Sequence, residues 1–75
     1  MAKKAAADNT IARVTEVIST SDKSFEDAVG NGIKRASKSL RGIRGAWVKE
    51  MKVDVVNGKV TNYRVDMLVT FVVEE

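Results

Sequence analysis

Hydrophobic and polar residues change period twice along this chain. From Ile11 to Ser19 β-branched residues dominate, and the segment reads as a strand followed by a polar turn, Ser19-Thr20-Ser21-Asp22. From Ser24 onward the spacing becomes helical. Phe25, Ala28, Val29, Gly32, Ile33, Ala36 and Leu40 fall on one stripe, with Glu26, Asp27, Asn31, Lys34, Arg35, Lys38 and Arg41 on the other side. Ser24 is the expected N-cap, Asp27 a capping-box relative, and Gly42 the expected stop, so the pattern predicts a helix over Ser24–Arg41. Then the period returns to two. Trp47–Val56 and Lys59–Val73 read as strands joined by Asn57-Gly58, which suits a two-residue type I′ turn.

That turn sets a register in which Val56 faces Lys59, Met51 faces Arg64, Lys49 faces Asp66 and Trp47 faces Leu68. Val65, Met67, Val69, Phe71 and Val73, with Ala46 and Val48, then form one apolar face, the expected seat of the helix. The opposite face carries Trp47, Met51, Val53, Val55, Val60, Leu68 and Val72 among Lys49, Arg64 and Asp66. The fold class is α+β: a β-α-β-β unit with a three-stranded antiparallel sheet packed on one helix. One helix cannot cover two faces. At about 25 cal/mol per Å² of apolar surface, leaving Trp47, Met51, Leu68 and Val53 in water forfeits several kcal/mol, comparable to a small domain's whole stability. The second face is therefore expected to meet other copies of the chain.

Composition sharpens this. A chain of 75 residues makes one small domain, expected over residues 10–75, with Met1–Asn9 a disordered tail. There is no cysteine, so no disulfide staples it, and no histidine, which removes the commonest proton shuttle and metal ligand. A catalytic triad is excluded, no glycine-rich phosphate loop is present, and Asp54 and Asp66 fall on opposite faces. The expectation is a binding protein, not an enzyme. No apolar run is long enough to cross a membrane, and the expected compartment is the cytoplasm. The net charge of +3 includes Lys3 and Lys4 in the tail. Lys34, Arg35, Lys38, Arg41 and Arg44 read as a solvated face without interleaved aromatics, so nucleic acid is not the expected partner. Trp47 has two readings, a packed interface aromatic or a stacking platform for a flat ligand.

The ordered pieces resemble the dodecins, small β-α-β-β proteins that form hollow homododecamers. The resemblance runs from Ile11 to Glu75. Arg13-Val14-Thr15-Glu16-Val17 and Ser19-Thr20-Ser21 carry it in the first strand and turn. Phe25-Glu26-Asp27-Ala28, Ile33-Lys34-Arg35-Ala36 and Ser39-Leu40-Arg41 carry it through the helix. Gly58-Lys59-Val60, Tyr63-Arg64-Val65 and Val69-Thr70-Phe71 carry it in the last strand. The resemblance implies a homododecamer that binds or stores a small planar ligand, with flavin (FMN or riboflavin) the first candidate. Flavin-binding dodecins stack the ring on a Trp and contact it with a Gln. Here the Trp position falls on Gly45, with Trp47 two residues later, and the Gln position falls on Arg64. The Arg-Gly pair of that group is replaced by Lys52-Val53. A two-residue shift keeps the face but moves the ring by about 6.5 Å. Trp47, Arg64 and Gly45 are the candidate ligand residues. The alternative implied by the family is a structural shell or a weak calcium binder without flavin, with no metal ligand assigned.

Overall fold

The computed structural model describes residues 11–73, so the tail expected at 1–9 and the ends of the 10–75 domain lie outside the described residues. Its elements are β1 (Ala12–Ser21), α1 (Phe25–Ala36), β2 (Ile43–Val56) and β3 (Lys59–Val72). The sheet is antiparallel in the order β1-β3-β2, with β3 central. The expected β-α-β-β architecture is therefore present.

The helix starts as its sequence dictates. Ser24 Oγ accepts from the Asp27 N–H at 2.9 Å. Asp27 does not complete a capping box. Its Oδ2 accepts instead from the buried Ser21 hydroxyl at 2.6 Å, and Ser21 Oγ accepts from the backbone N–H of Lys23 at 2.9 Å and of Ser24 at 3.4 Å. Ser21 thus belongs to β1, not to the predicted turn, and ties the strand's end to the helix's start. The helix ends at Ala36, five residues before the expected Arg41. Ser37 Oγ donates to the Ile33 carbonyl at 2.8 Å, and the following N–H groups of Lys38 and Ser39 tighten to carbonyls three residues back. Gly42, at φ +72, turns the chain into β2 instead of capping the helix, and its carbonyl accepts from the Val72 N–H at 3.0 Å.

Ala28, Val65, Met67 and Val69 are fully buried, with Val17, Phe25, Val29, Ile33 and Ile43 packed around them. Gly32 permits the closest approach of helix to sheet. A Cβ there would lie 2.6 Å from Met67 Cε and 2.9 Å from Ser19 Cβ. Phe25 meets Tyr63 edge-on at 5.1 Å between ring centres.

Asn57 (φ 53) and Gly58 (φ 77) form the predicted turn, and Val56 pairs with Lys59. The simple register then fails at three irregularities. Val55 pairs with Val60 but Asp54 with Asn62, so Thr61 is extra, and its hydroxyl donates to the Asp54 carbonyl at 3.3 Å. Glu50 pairs with Asp66 but Val48 with Met67, leaving Lys49 extra; a third shift lies between Ile43 and Gly45. Two expected pairs are corrected: Asp66 faces Glu50, not Lys49, and Arg64 faces Lys52, not Met51. Met51 and Val53 oppose Val65 and Tyr63, so both lie on the helix-bearing face and not beside Trp47. A slip of one residue changes the face.

The helix packs on β1 and β3 and leaves β2 uncovered. Position explains this: the helix sits over β1 and the central β3, and β2 is the edge strand on the far side of β3; the helix is also short, its 12 residues spanning about 18 Å against about 48 Å for the 14-residue strands. The molecule is elongated, 53 × 23 × 16 Å. Apolar residues of β2 are exposed on both faces, Trp47 (53%) on one and Met51 (55%) and Val48 (41%) on the other.

Candidate functional site

The sheet face turned away from the helix is assembled row by row from the ladder. Gly45 opposes Thr70, Trp47 opposes Leu68, Glu50 opposes Asp66 and Lys52 opposes Arg64. On the other side of β3, Val14 opposes Thr70, Glu16 opposes Leu68, Ile18 opposes Asp66 and Thr20 opposes Arg64. Val14, Ile18 and Trp47 are at least half exposed there, so the apolar side chains beside the charges lack cover in a single chain.

Gly45 and Trp47 share this face as predicted. The Thr70 hydroxyl donates to the Gly45 carbonyl at 3.0 Å. A Cβ at Gly45 would find nothing nearer than Thr70 Oγ1 at 3.8 Å, which leaves open sheet surface beside the Trp47 ring. Arg64 lies on the same face but four strand steps from Leu68, about 13 Å along β3. One small ring cannot touch both Trp47 and Arg64 in one chain. The structure brings Gly45 and Trp47 together and keeps Arg64 apart.

Beside Trp47 lies a charged group that the simple register obscures. The bulge at Lys49 sends its Nζ across the sheet to Glu16 Oε2, 3.3 Å away. A hydrogen bond with Asp66 and then the Lys49 ammonium hold the Glu16 carboxyl below its ordinary value. The Glu16 partner raises Lys49. Asp66 moves up, chiefly through the hydrogen bond to Glu16, then through loss of solvent and the repulsion of Glu16. The shifts of Glu16 and Asp66 are opposite in direction, as expected for two carboxyls held close to each other. Two buried polar atoms, Arg64 Nε and Asp66 Oδ1, have no hydrogen-bond partner among the described residues.

Two open grooves flank these groups. One of about 230 Å³ is lined by Ile18, Glu50, Lys52, Arg64 and Asp66. The other, about 310 Å³, lies at the far end of the sheet, between Arg13, Ser39, Leu40, Arg41 and Phe71–Val73. Leu40, expected on the helix stripe, lines this second groove because the helix has already ended. The sequence reasoning missed Glu50 and Lys52 as members of the face, since the Thr61 bulge reassigns both. The only hint in the sequence was the matched charge pattern, Glu50-Met51-Lys52 against Arg64-Val65-Asp66. Lys34, Arg35, Lys38, Arg41 and Arg44 are all exposed. Among the described residues no three carboxylates are placed to hold a metal ion, and no helix is long and apolar enough to cross a membrane.

Comparison with known proteins places this geometry in context. The sequence profile described as Dodecin matches residues 11–74. Among solved structures, dodecin from Streptomyces davaonensis is 33% identical with a TM-score of 0.84, covering 89% of this chain and 98% of that one. Dodecin from Streptomyces coelicolor is 34% identical with a TM-score of 0.84, covering 89% and 96%. The calcium chelating immunodominant antigen, calcium dodecin, from Mycobacterium tuberculosis is 34% identical with a TM-score of 0.73, covering 85% and 91%. No curated protein sequence matches the chain.

Proposed function

This chain belongs to the dodecin family, and from that premise we propose that it is a homo-oligomeric protein, a dodecamer, that binds and stores a small planar ligand between subunits. Flavin, as riboflavin or FMN, is the first candidate. The observation that carries the reading is the uncovered sheet face, where the half-exposed Trp47 stands beside the open surface over Gly45. An exposed indole on a surface that must be covered serves both an interface and a flat ring. The residues fit a planar group in one arrangement. Trp47 supplies the stacking face, and Arg64 from another subunit supplies a planar fork of donors to a carbonyl or phosphate. The 13 Å separation along β3 is the reason that the site needs more than one chain.

The role proposed is binding, not catalysis. Among the described residues the face carries Glu16, Lys49, Glu50, Lys52, Arg64 and Asp66, and of these Glu16, Lys49 and Asp66 are engaged with one another. The proposed role is that of a ligand reservoir, with the cytoplasm as its proposed compartment. The test is titration of riboflavin into ligand-free protein while following flavin and Trp fluorescence. Saturable quenching of both at micromolar concentration is expected, and Trp47→Ala should weaken it at least tenfold, from lost stacking and contact area. Absence of saturable quenching at tens of micromolar riboflavin would remove flavin. A second reading, a weak cation binder, has support in the 34% identity to the calcium dodecin. Calcium titration by calorimetry on the same sample decides it.

A further inference from the structure

The same sheet face carries two charged rows of opposite sign. In the first, Glu50 and Asp66 stand directly opposite each other; in the next, Lys52 and Arg64 do. Rows on one face of a sheet are two strand steps apart, about 6.8 Å. Placing like charges opposite each other across a ladder is unfavourable, and this chain does it twice in succession. Within the chain the Lys49 ammonium acts on the acidic row only at longer range, and its direct contact is Glu16. Among the described residues the ion pair within 4 Å is Lys49–Glu16, so none of the four row charges has a salt-bridge partner there. The rows edge the groove of about 230 Å³ and are bordered by the exposed Ile18.

Such a pattern is self-complementary in one orientation. Consider a second copy laid face to face and related by a two-fold axis that runs across the strands, midway between the rows. Rotation about that axis puts the acidic row of each copy over the basic row of the other. Asp66 then meets the partner's Arg64, and Glu50 meets the partner's Lys52. A two-fold axis along the strands puts acid over acid and base over base, which is repulsive. The charges thus select one of the orientations in which the apolar surface could be covered, and isologous contacts of this kind are the usual basis of two-fold dimers.

We propose that the Glu50·Asp66 and Lys52·Arg64 rows form a reciprocal electrostatic key that fixes how two copies of this chain pair across their open sheet faces. The proposal rests on the homo-oligomer reading above and goes beyond it by naming the contacts that set the pairing.

The experiment uses two variants of the full chain. Lys52→Glu with Arg64→Glu makes both rows acidic; Glu50→Lys with Asp66→Lys makes both basic. Each is expected to keep its circular dichroism but to give species smaller than wild type by native mass spectrometry. An equimolar mixture should restore the wild-type mass with both chains present, because acidic rows then oppose basic ones. Assembly of either variant alone to the wild-type mass overturns the proposal, and so does failure of the folded variants to assemble when mixed. If a double variant does not fold alone, Lys52→Glu and Glu50→Lys are mixed in its place under the same criteria. Wild-type protein that is itself monomeric contradicts the oligomer reading, whereas oligomeric wild type with indifferent variants contradicts only the key.

Discussion

At the scale of single residues, position and backbone angle decide more than chemical type. Gly32 is required by contact: the atoms of Met67 and Ser19 already occupy the space a Cβ would take. Gly32→Ala should therefore lower stability by about 1–3 kcal/mol, the usual range for overpacking, although alanine favours helix; a rise in the thermal midpoint contradicts this. Gly58 is required by conformation, since φ +77 strains a branched side chain. Gly58→Val should cost clearly more than Lys59→Val, and equal thermal midpoints would count against the type I′ turn. Ionisation sets a third case. Glu16 has a lowered pKa, so its contribution to stability is present above the ordinary glutamate range and is lost as pH falls through the lowered value. Lys49→Met removes one of the two groups that lower it and should move that loss to higher pH. Thermal midpoints recorded across the acid range for both proteins check this, and superimposable acid limbs contradict it.

At the scale of elements, the helix, its cap and the hairpin turn were legible because each is written locally. Ser24 opens the helix and Asn57-Gly58 closes the hairpin as their sequence requires. What was not legible follows from interactions between segments. The helix stops at Ala36, where the N–H groups of Lys38 and Ser39 turn to carbonyls three residues back and the Ser37 hydroxyl joins its own N–H on the Ile33 carbonyl, whereas the apolar stripe alone continues to Leu40. The hairpin's register changes at Thr61 and again at Lys49, and no pattern of alternation announces a bulge. Those two residues move Met51 and Val53 to the helix-bearing face and bring Glu50 and Lys52 to the other. For the candidate site, Gly45 and Trp47 were placed on the right face because they lie beyond both bulges, where Trp47 still meets Leu68. Arg64 was placed on the right face but beside the wrong neighbour. Ser21 joins two elements through three hydrogen bonds. Ser21→Ala removes the acceptor of two N–H groups and leaves Asp27 Oδ2 with Asn31 alone, and should cost about 1–3 kcal/mol; a denaturation midpoint unchanged from wild type contradicts that role.

At the scale of the whole molecule, the governing fact is one short helix against a three-stranded sheet. A 12-residue helix seated over β1 and β3 leaves the edge strand β2 with apolar side chains exposed on both faces. In the proposed assembly, burying them against other copies would supply what a chain of this size lacks, and the uncovered Trp47 would offer a flat ligand a surface. Leu68→Lys, which places a charge opposite Trp47, should yield smaller species with the secondary structure intact, and an unchanged native mass would argue against burial of this face. The most direct test of the central claim is the native mass of the wild-type protein recorded with saturating riboflavin. A homo-oligomer of twelve chains, whose mass increases by bound riboflavin, is the expected result. A monomer, or an oligomer whose mass riboflavin does not change, contradicts it.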